Sequence, residues 1–197
     1  MTQYFRALVS IVFILSVAAG TSSVARAVSE APQDDNPSTT SERIARGEYL
    51  VSTMACHDCH TPLKMGPNGP ERDTARALTG HPSDLVMPPA PVLPPGPWSW
   101  VASATSTAFA GPWGTSFAAN LTPDDETGLG LWTEEMFIQT MKTRRHQGKG
   151  RPLLPPMPAE LLDALRPEDI KSVFAYLQSL RPVSNRVPAP IDPPGAQ

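Results

Sequence analysis

The sequence predicts an all-α domain of three to five short helices joined by long, proline-rich loops, and three observations point there. Apolar residues recur at helical spacing behind capping residues in three places. No alternating apolar and polar run of useful length appears, and no internal repeat. Proline makes up 24 of the 197 residues, about 12% against a usual roughly 5%, and each proline bars a helix interior or a central strand. Much of the fold is therefore expected to be ordered loop. The hydrophobic fraction, 40%, lies a little under the globular norm, and the charged fraction, 18%, is too low for a chain kept unfolded by self-repulsion. A net charge of −3 and a pI near 5.8 provide no basic field for a phosphate backbone, so nucleic acid is excluded as a partner.

Residues 1–27 read as a secretory signal. Arg6 supplies the positive start, Ala7 to Gly20 is uncharged and apolar, and Ala25-Arg26-Ala27 has the small-x-small form of a cleavage site. The competing reading is an uncleaved membrane anchor, but the run falls short of the ~20 residues that a span requires. Cleavage after Ala27 leaves 14 basic and 19 acidic groups, an acidic exported protein. Residues 28–40 are polar and read as a disordered tether, 41–190 as the folded domain and 191–197 as a disordered tail.

The first helix is expected from Ser41 as cap, with Glu42 in its first turn and Gly47, Leu50, Val51 and Met54 at i, i+3, i+4, i+7, running directly into Cys56. A later helix is expected from Thr133 to about His146. It opens on Glu134 and Glu135, closes on Lys142, Arg144 and Arg145, and has Gly148 as its stop. A short turn at residues 160–165 precedes the last helix, which has Pro167 in its first turn and Ile170, Val173, Phe174 and Leu177 on one face. These helices are a thin core for about 140 ordered residues, so something else should fill the middle.

The chain's two cysteines stand in Cys56-His57-Asp58-Cys59-His60. C-x-x-C-H is the attachment pattern of a c-type haem. Residues i and i+3 after a helix can offer two sulfurs to one porphyrin edge as thioethers, and the following imidazole can serve as the proximal iron ligand. Other chemistries for this run are a structural zinc site, which lacks a second ligand pair at a recognisable spacing, a thioredoxin-like pair, which lacks a βαβ unit, and a plain disulfide, which makes no use of His60. Of the seven methionines, Met54, Met136 and Met141 fall on helices as core filler, and Met65 is too near His60 in sequence to cross to the opposite face. Met87 and Met157 lie in proline-rich loops. Met157, inside Leu154-Pro155-Pro156-Met157-Pro158, is the expected distal ligand because proline stiffens the backbone on both sides. Gap-filling by Met157, and His81 or His146 as distal ligand, are the alternatives. His146 reads more simply as a surface residue complementing a helix C-terminus.

The chain resembles the bacterial class-I-like c-type cytochromes, in particular a periplasmic subset with a long insertion after the haem motif. The resemblance runs from about Arg43 to Pro190. It is carried by Ala45-Arg46-Gly47-Glu48-Tyr49-Leu50, Cys56-His57-Asp58-Cys59-His60-Thr61-Pro62, and Gly111-Pro112-Trp113-Gly114-Thr115-Ser116-Phe117-Ala118-Ala119-Asn120-Leu121-Thr122-Pro123-Asp124. Thr127-Gly128-Leu129-Gly130-Leu131-Trp132-Thr133-Glu134-Glu135, Leu153-Leu154-Pro155-Pro156-Met157-Pro158 and Phe174-Ala175-Tyr176-Leu177 complete it. Ala159, where an aromatic is common, and Arg166-Pro167, in place of a Ser/Thr cap, depart from the pattern. The resemblance implies a cytochrome c-like fold around one covalent haem c, with the first and last helices crossing near Gly47 and Tyr176-Leu177 and with His60 and Met157 as axial ligands. It implies a periplasmic carrier of single electrons, not itself an enzyme, whose partners are redox proteins: a dehydrogenase that it serves as free carrier or subunit, an oxidase or another cytochrome. Membrane association is expected only if the signal segment stays uncleaved.

Trp113, Phe117 and Trp132 are candidate pocket walls, and Asn120 or Arg144 a candidate partner for a haem propionate. The second ring nitrogen of His60 is expected to donate to a carbonyl in residues 66–70. Residues 82–97 hold seven prolines, which reads as a spacer over the haem edge or as a docking surface. A haem enzyme or sensor with an open distal position is the alternative function, and a zinc-binding module a third.

Overall fold

Helix α1 (Thr40–Thr53) starts at a capping box. Thr39 Oγ1 accepts from the Glu42 N–H at 3.2 Å, and Glu42 Oε2 accepts from the Thr39 N–H at 3.0 Å. The cap is thus Thr39 instead of the expected Ser41, because Glu42 stands three residues after Thr39, the spacing the reciprocal pair requires. These details come from a computed structural model, which describes Pro37, residues 39–193 and Gly195. The predicted signal segment and most of the predicted tether lie outside the described residues.

Among the described residues, five α-helices and two small sheets make up a mostly helical domain, consistent with a cytochrome c-like fold. After α1 come α2 (Cys56–His60), α3 (Glu134–Thr143), α4 (Ala159–Ala164) and α5 (Pro167–Ser179). The central packing is α1 on α5. A Cβ on Gly47 would lie 1.9 Å from the Ser172 carbonyl oxygen and 2.7 Å from Tyr176 Cβ, so only a glycine lets the two backbones approach this closely. Leu50 and Val51 then meet Ile170, Val173 and Leu177 in the core, and Phe137 of α3 packs on Phe174 with ring centroids 5.2 Å apart. Full burial of each such side chain stabilises by about 1.5–3 kcal/mol. Asp169 locks the crossing, accepting from Arg46 Nε and Nη2 at 3.1 and 3.0 Å and from Arg166 Nε at 3.0 Å. Burial opposes its charge, but the hydrogen bonds from Arg166 and Arg46 outweigh that and hold its pKa below the usual carboxylate range.

The all-α expectation fails between Thr61 and Phe117. Strands β1 (Leu63–Gly66) and β2 (Gly69–Arg72) form one antiparallel hairpin, with Gly66 opposite Gly69. β3 (Val101–Ala102), β4 (Ala108–Gly111) and β5 (Gly114–Phe117) form a three-stranded sheet in that order, with Gly111 opposite Gly114. Strands of two to four residues are too short for a period-of-two pattern to be read. The legible signal was in the turns: Gly66-Pro67-Asn68-Gly69 and Gly111-Pro112-Trp113-Gly114 both place two residues between glycines, with Gly69 and Gly114 at φ +118° and +91°.

The segment after α5 packs back onto the domain. Val183 O accepts from Asn120 Nδ2 at 2.8 Å. Asn185 donates to the Thr79 and His81 carbonyls and accepts from the Ser83 N–H. Ile191 exchanges backbone hydrogen bonds with Thr115 of β5 at 2.8 and 2.9 Å. Among the described residues no helix is long and apolar enough to cross a membrane.

Candidate cofactor site

A cavity of about 470 Å³ opens between α1, α2, β5, α3 and the loop before α4. Its walls are predominantly apolar, and Val51, Leu129, Phe137, Ile170 and Leu177 form much of them. Cys56, Cys59 and His60 line one side, and Leu153 to Pro158, including Met157, another. Such a volume is that of a cofactor-sized site.

Both cysteines are free and half-buried. Burial pushes the Cys56 thiol up to about 11 and also raises that of Cys59, with Asp58 adding to both. At neutral pH they are thiols, unlike the thiolate of a redox pair. Among the described residues no group of three or more His, Cys, Asp or Glu side chains converges to hold a metal ion, so the donors of a zinc site are not assembled. His57 does not line the cavity, and its Nδ1 is 2.8 Å from Thr61 Oγ1.

His60 Nδ1 donates to the Ala119 carbonyl at 2.8 Å. A carbonyl only accepts, so Nδ1 carries the proton and Nε2 presents a lone pair with no hydrogen-bond partner among the described residues. Burial lowers the His60 pKa against the pull of the Ala119 acceptor, which keeps the ring neutral, the form that ligates. The acceptor corrects the expected carbonyl in residues 66–70, which instead pair within and around the β1–β2 hairpin. Gly80 helps position it: Gly80 N–H donates to His60 O, and a Cβ there would lie 2.3 Å from Ala118 O.

Four potential distal ligands line the cavity: Met54, Met141, Met157 and His146. Met54 and Met141 pack against the hydrophobic core, which leaves Met157 as the methionine of the cavity with no core role. Met87 lies away from it, Met65 is 77% exposed on β1 and Met136 is 38% exposed. His81 is excluded as a ligand by its own bonds: it is fully buried, with Nδ1 2.9 Å from Thr107 Oγ1 and Nε2 3.0 Å from Leu85 O. The Met157 loop is held by the Ser116 hydroxyl, which donates to Pro155 O at 2.6 Å, and by the Leu153 N–H on Arg144 O.

Comparison with known proteins gives distant relatives. No family model matches the chain. It is 29% identical over 143 residues to the fructose dehydrogenase cytochrome subunit of Gluconobacter japonicus, covering 71% of this chain and 22% of that protein. With the cytochrome c subunit of the quinone alcohol dehydrogenase of Gluconobacter oxydans it shares 26% over 148 residues, 75% of this chain and 23% of that one. A nicotinate dehydrogenase subunit of Pseudomonas putida is 31% identical over 126 residues, 51% of this chain and 10% of that one. The chain is distantly homologous to cytochrome c subunits of bacterial dehydrogenases. It spans less than a quarter of the length of these relatives.

The structure places Phe117, Asn120 and Trp132 on the cavity wall and leaves Trp113 off it, with its indole donating to Ser116 Oγ at 3.3 Å. Asn120 is not available to a propionate. Its amide donates to Val183 O and Thr127 Oγ1, and its carbonyl accepts from Thr122 N and Oγ1. Arg144 is paired with Asp163 at 3.4 Å and lies off the cavity. His146 is half-buried on the cavity wall instead of at a helix end, because α3 stops at Arg144 in the left-handed region, φ 56°, before reaching it. The proline-rich segment from 82 to 97 contributes nothing to the cavity lining. Phe109 and Arg151 line it without having been singled out from sequence. Arg151 stands in a Gly150-Arg151-Pro152 turn that gives no periodicity to read.

Proposed function

We propose that the chain is a single-electron carrier built on one covalent haem c, with Cys56 and Cys59 as its thioether anchors and His60 and Met157 as axial ligands. The observation that carries this reading is that Cys56, Cys59, His60 and Met157 line one apolar cavity. The distant homology to dehydrogenase cytochrome subunits supports it.

When bound, haem c supplies reversible Fe(III)/Fe(II) chemistry. The chain's part is to hold, orient and dry the site. Cys56 and Cys59, three residues apart on α2, would hold the haem through two thioether bonds. The Ala119 carbonyl holds the His60 ring in its Nδ1–H tautomer and raises the basicity of Nε2. Pro155, Pro156 and Pro158 restrict the backbone around Met157, and the Ser116 bond fixes their loop to β5. The apolar wall excludes water and disfavours the more highly charged ferric state, and thioether ligation does the same, so both raise the potential.

In this reading the chain is exported to the periplasm after removal of residues 1–27 and is not itself an enzyme. Its partner is a dehydrogenase that hands it electrons, with an oxidase or another cytochrome as acceptor. The test is expression in a host with export and haem-attachment machinery. Colour that stays with the denatured chain, and a reversible one-electron titration of the native protein, are expected. A folded, colourless protein contradicts the proposal.

A further inference from the structure

His81 has no part in the function proposed above, yet it is fully buried and both of its ring nitrogens are bonded. Nε2 donates to the Leu85 carbonyl at 3.0 Å, because a carbonyl only accepts. Burial lowers the His81 pKa against that acceptor and the Asp84 charge, so the ring is neutral and Nδ1 accepts from the Thr107 hydroxyl at 2.9 Å. The hydroxyls behind it then run in one direction. Thr107 Oγ1, its proton given to His81, accepts from Thr105 Oγ1 at 2.8 Å, which in turn accepts from Ser103 Oγ at 2.9 Å. Ser103 Oγ accepts from the Thr107 and Ala108 N–H groups. A buried polar chain with every member satisfied holds the ring in one orientation.

That ring stands against the segment that carries the acceptor of His60. It meets the Phe117 ring at 4.9 Å between centroids, and the His81 N–H donates to Ala118 O at 2.9 Å. Phe117, Ala118 and Ala119 line the cavity, and the Ala119 carbonyl accepts from His60 Nδ1. One residue earlier, the Gly80 N–H donates to His60 O at 2.8 Å. Residues 80 and 81 therefore bridge the two ends of the His60–Ala119 bond. Gly80 holds the backbone that carries the imidazole, and His81 holds the segment that carries its acceptor. Asn185 closes the far side by donating to the His81 carbonyl at 2.9 Å.

We propose that His81 is a positioning residue for His60, holding residues 117–119 so that the Ala119 carbonyl keeps its bond to the Nδ1–H. This rests on the haem reading above, and it concerns a side chain that does not itself line the cavity. The bond to Ala119 raises the basicity of Nε2, and a more basic axial nitrogen favours the ferric state. Freeing residues 117–119 weakens that bond, so the ferrous fraction at a given ambient potential rises.

The experiment uses haem-loaded full-length protein and the variants His81→Ala, His81→Gln and Thr107→Val. Proton NMR of the ferrous form reads the His60 Nδ1–H resonance, and a redox-buffered spectrum reads the ferrous-to-ferric ratio at one fixed ambient potential. His81→Ala should move the resonance upfield and raise the ratio several-fold. Thr107→Val, which keeps the side-chain shape and removes the bond to Nδ1, should do the same to a smaller extent. His81→Gln, whose amide can donate to Leu85 O and accept from Thr107, should restore most of both. A resonance that stays in place in His81→Ala and Thr107→Val overturns the inference even if both variants melt earlier, because a merely structural role predicts that result. If His81→Ala does not fold, an unmoved resonance in Thr107→Val is enough to overturn it. A colourless parent protein would instead overturn the haem reading, and this inference with it.

Discussion

Cys56, Cys59 and His60 stand within five consecutive residues of one short helix, whereas Met157 reaches the same cavity from a loop whose place depends on β5 and the end of α3. The proximal wall is locally written and anchored by the α1–α5 crossing. The distal wall is assembled from contacts far apart in the chain. The difference teaches that one side of this site should fail all at once and the other by degrees.

The largest effect should come from the proximal residues. On the proposed function, Cys59→Ala combined with His60→Ala removes one thioether anchor and the proposed proximal ligand together, so the exported protein should lose its haem entirely, read as absent colour on a denaturing gel. Retained stoichiometric haem would break the comparison. Gly47→Ala should follow. Alanine gains about 1 kcal/mol of helix propensity, but its Cβ meets a backbone carbonyl that cannot step aside, and overpacking of that kind costs up to ~3 kcal/mol. Chemical denaturation should show a net loss.

Asp169→Asn sharpens the proximal side through pH. The folded pKa of Asp169 is depressed, so its contribution is present above the unfolded value of 3.8 and is lost as pH falls through the lower folded value. The variant should therefore be less stable than the parent by about 1.5–3 kcal/mol at pH 7, and the gap should close on acidification below about pH 4. Equal gaps in urea melts at neutral and acid pH would contradict the role given to Arg46 and Arg166. The smallest effect belongs to the distal loop: Ser116→Ala removes the bond to Pro155 O and should cost about 0.5–1.5 kcal/mol, with faster displacement of the distal ligand by added imidazole in stopped-flow. An unchanged displacement rate would show that the Ser116 bond does not hold the loop.

Legibility follows the same division. The α1 and α5 faces were readable because Leu50, Val51, Ile170, Val173 and Leu177 keep a 3.6-residue period, and the C-x-x-C-H because its spacing is itself the chemistry. The short strands were not, since two to four residues carry no period, and the two Gly-Pro-x-Gly turns were the only local mark of the hairpins. The Ala119 acceptor of His60 was misplaced for a related reason: it lies 59 residues away and is brought near by the packing of Gly80 against Ala118 and Ala119. Asn120 looked like a ligand-facing amide, yet the segment after α5 returns over it and satisfies it through Val183 O, a contact no local pattern announces.

The most direct test of the central claim is the ferric visible spectrum of the parent and of Met157→Ala, both with covalent haem. Ligation by Met157 predicts a weak far-red band in the parent, reporting a methionine–iron bond, and its loss in the variant with the haem still attached through Cys56 and Cys59. A far-red band that survives in Met157→Ala, or a parent that never shows one, would contradict Met157 as the ligand and with it the pairing of the two walls around one iron.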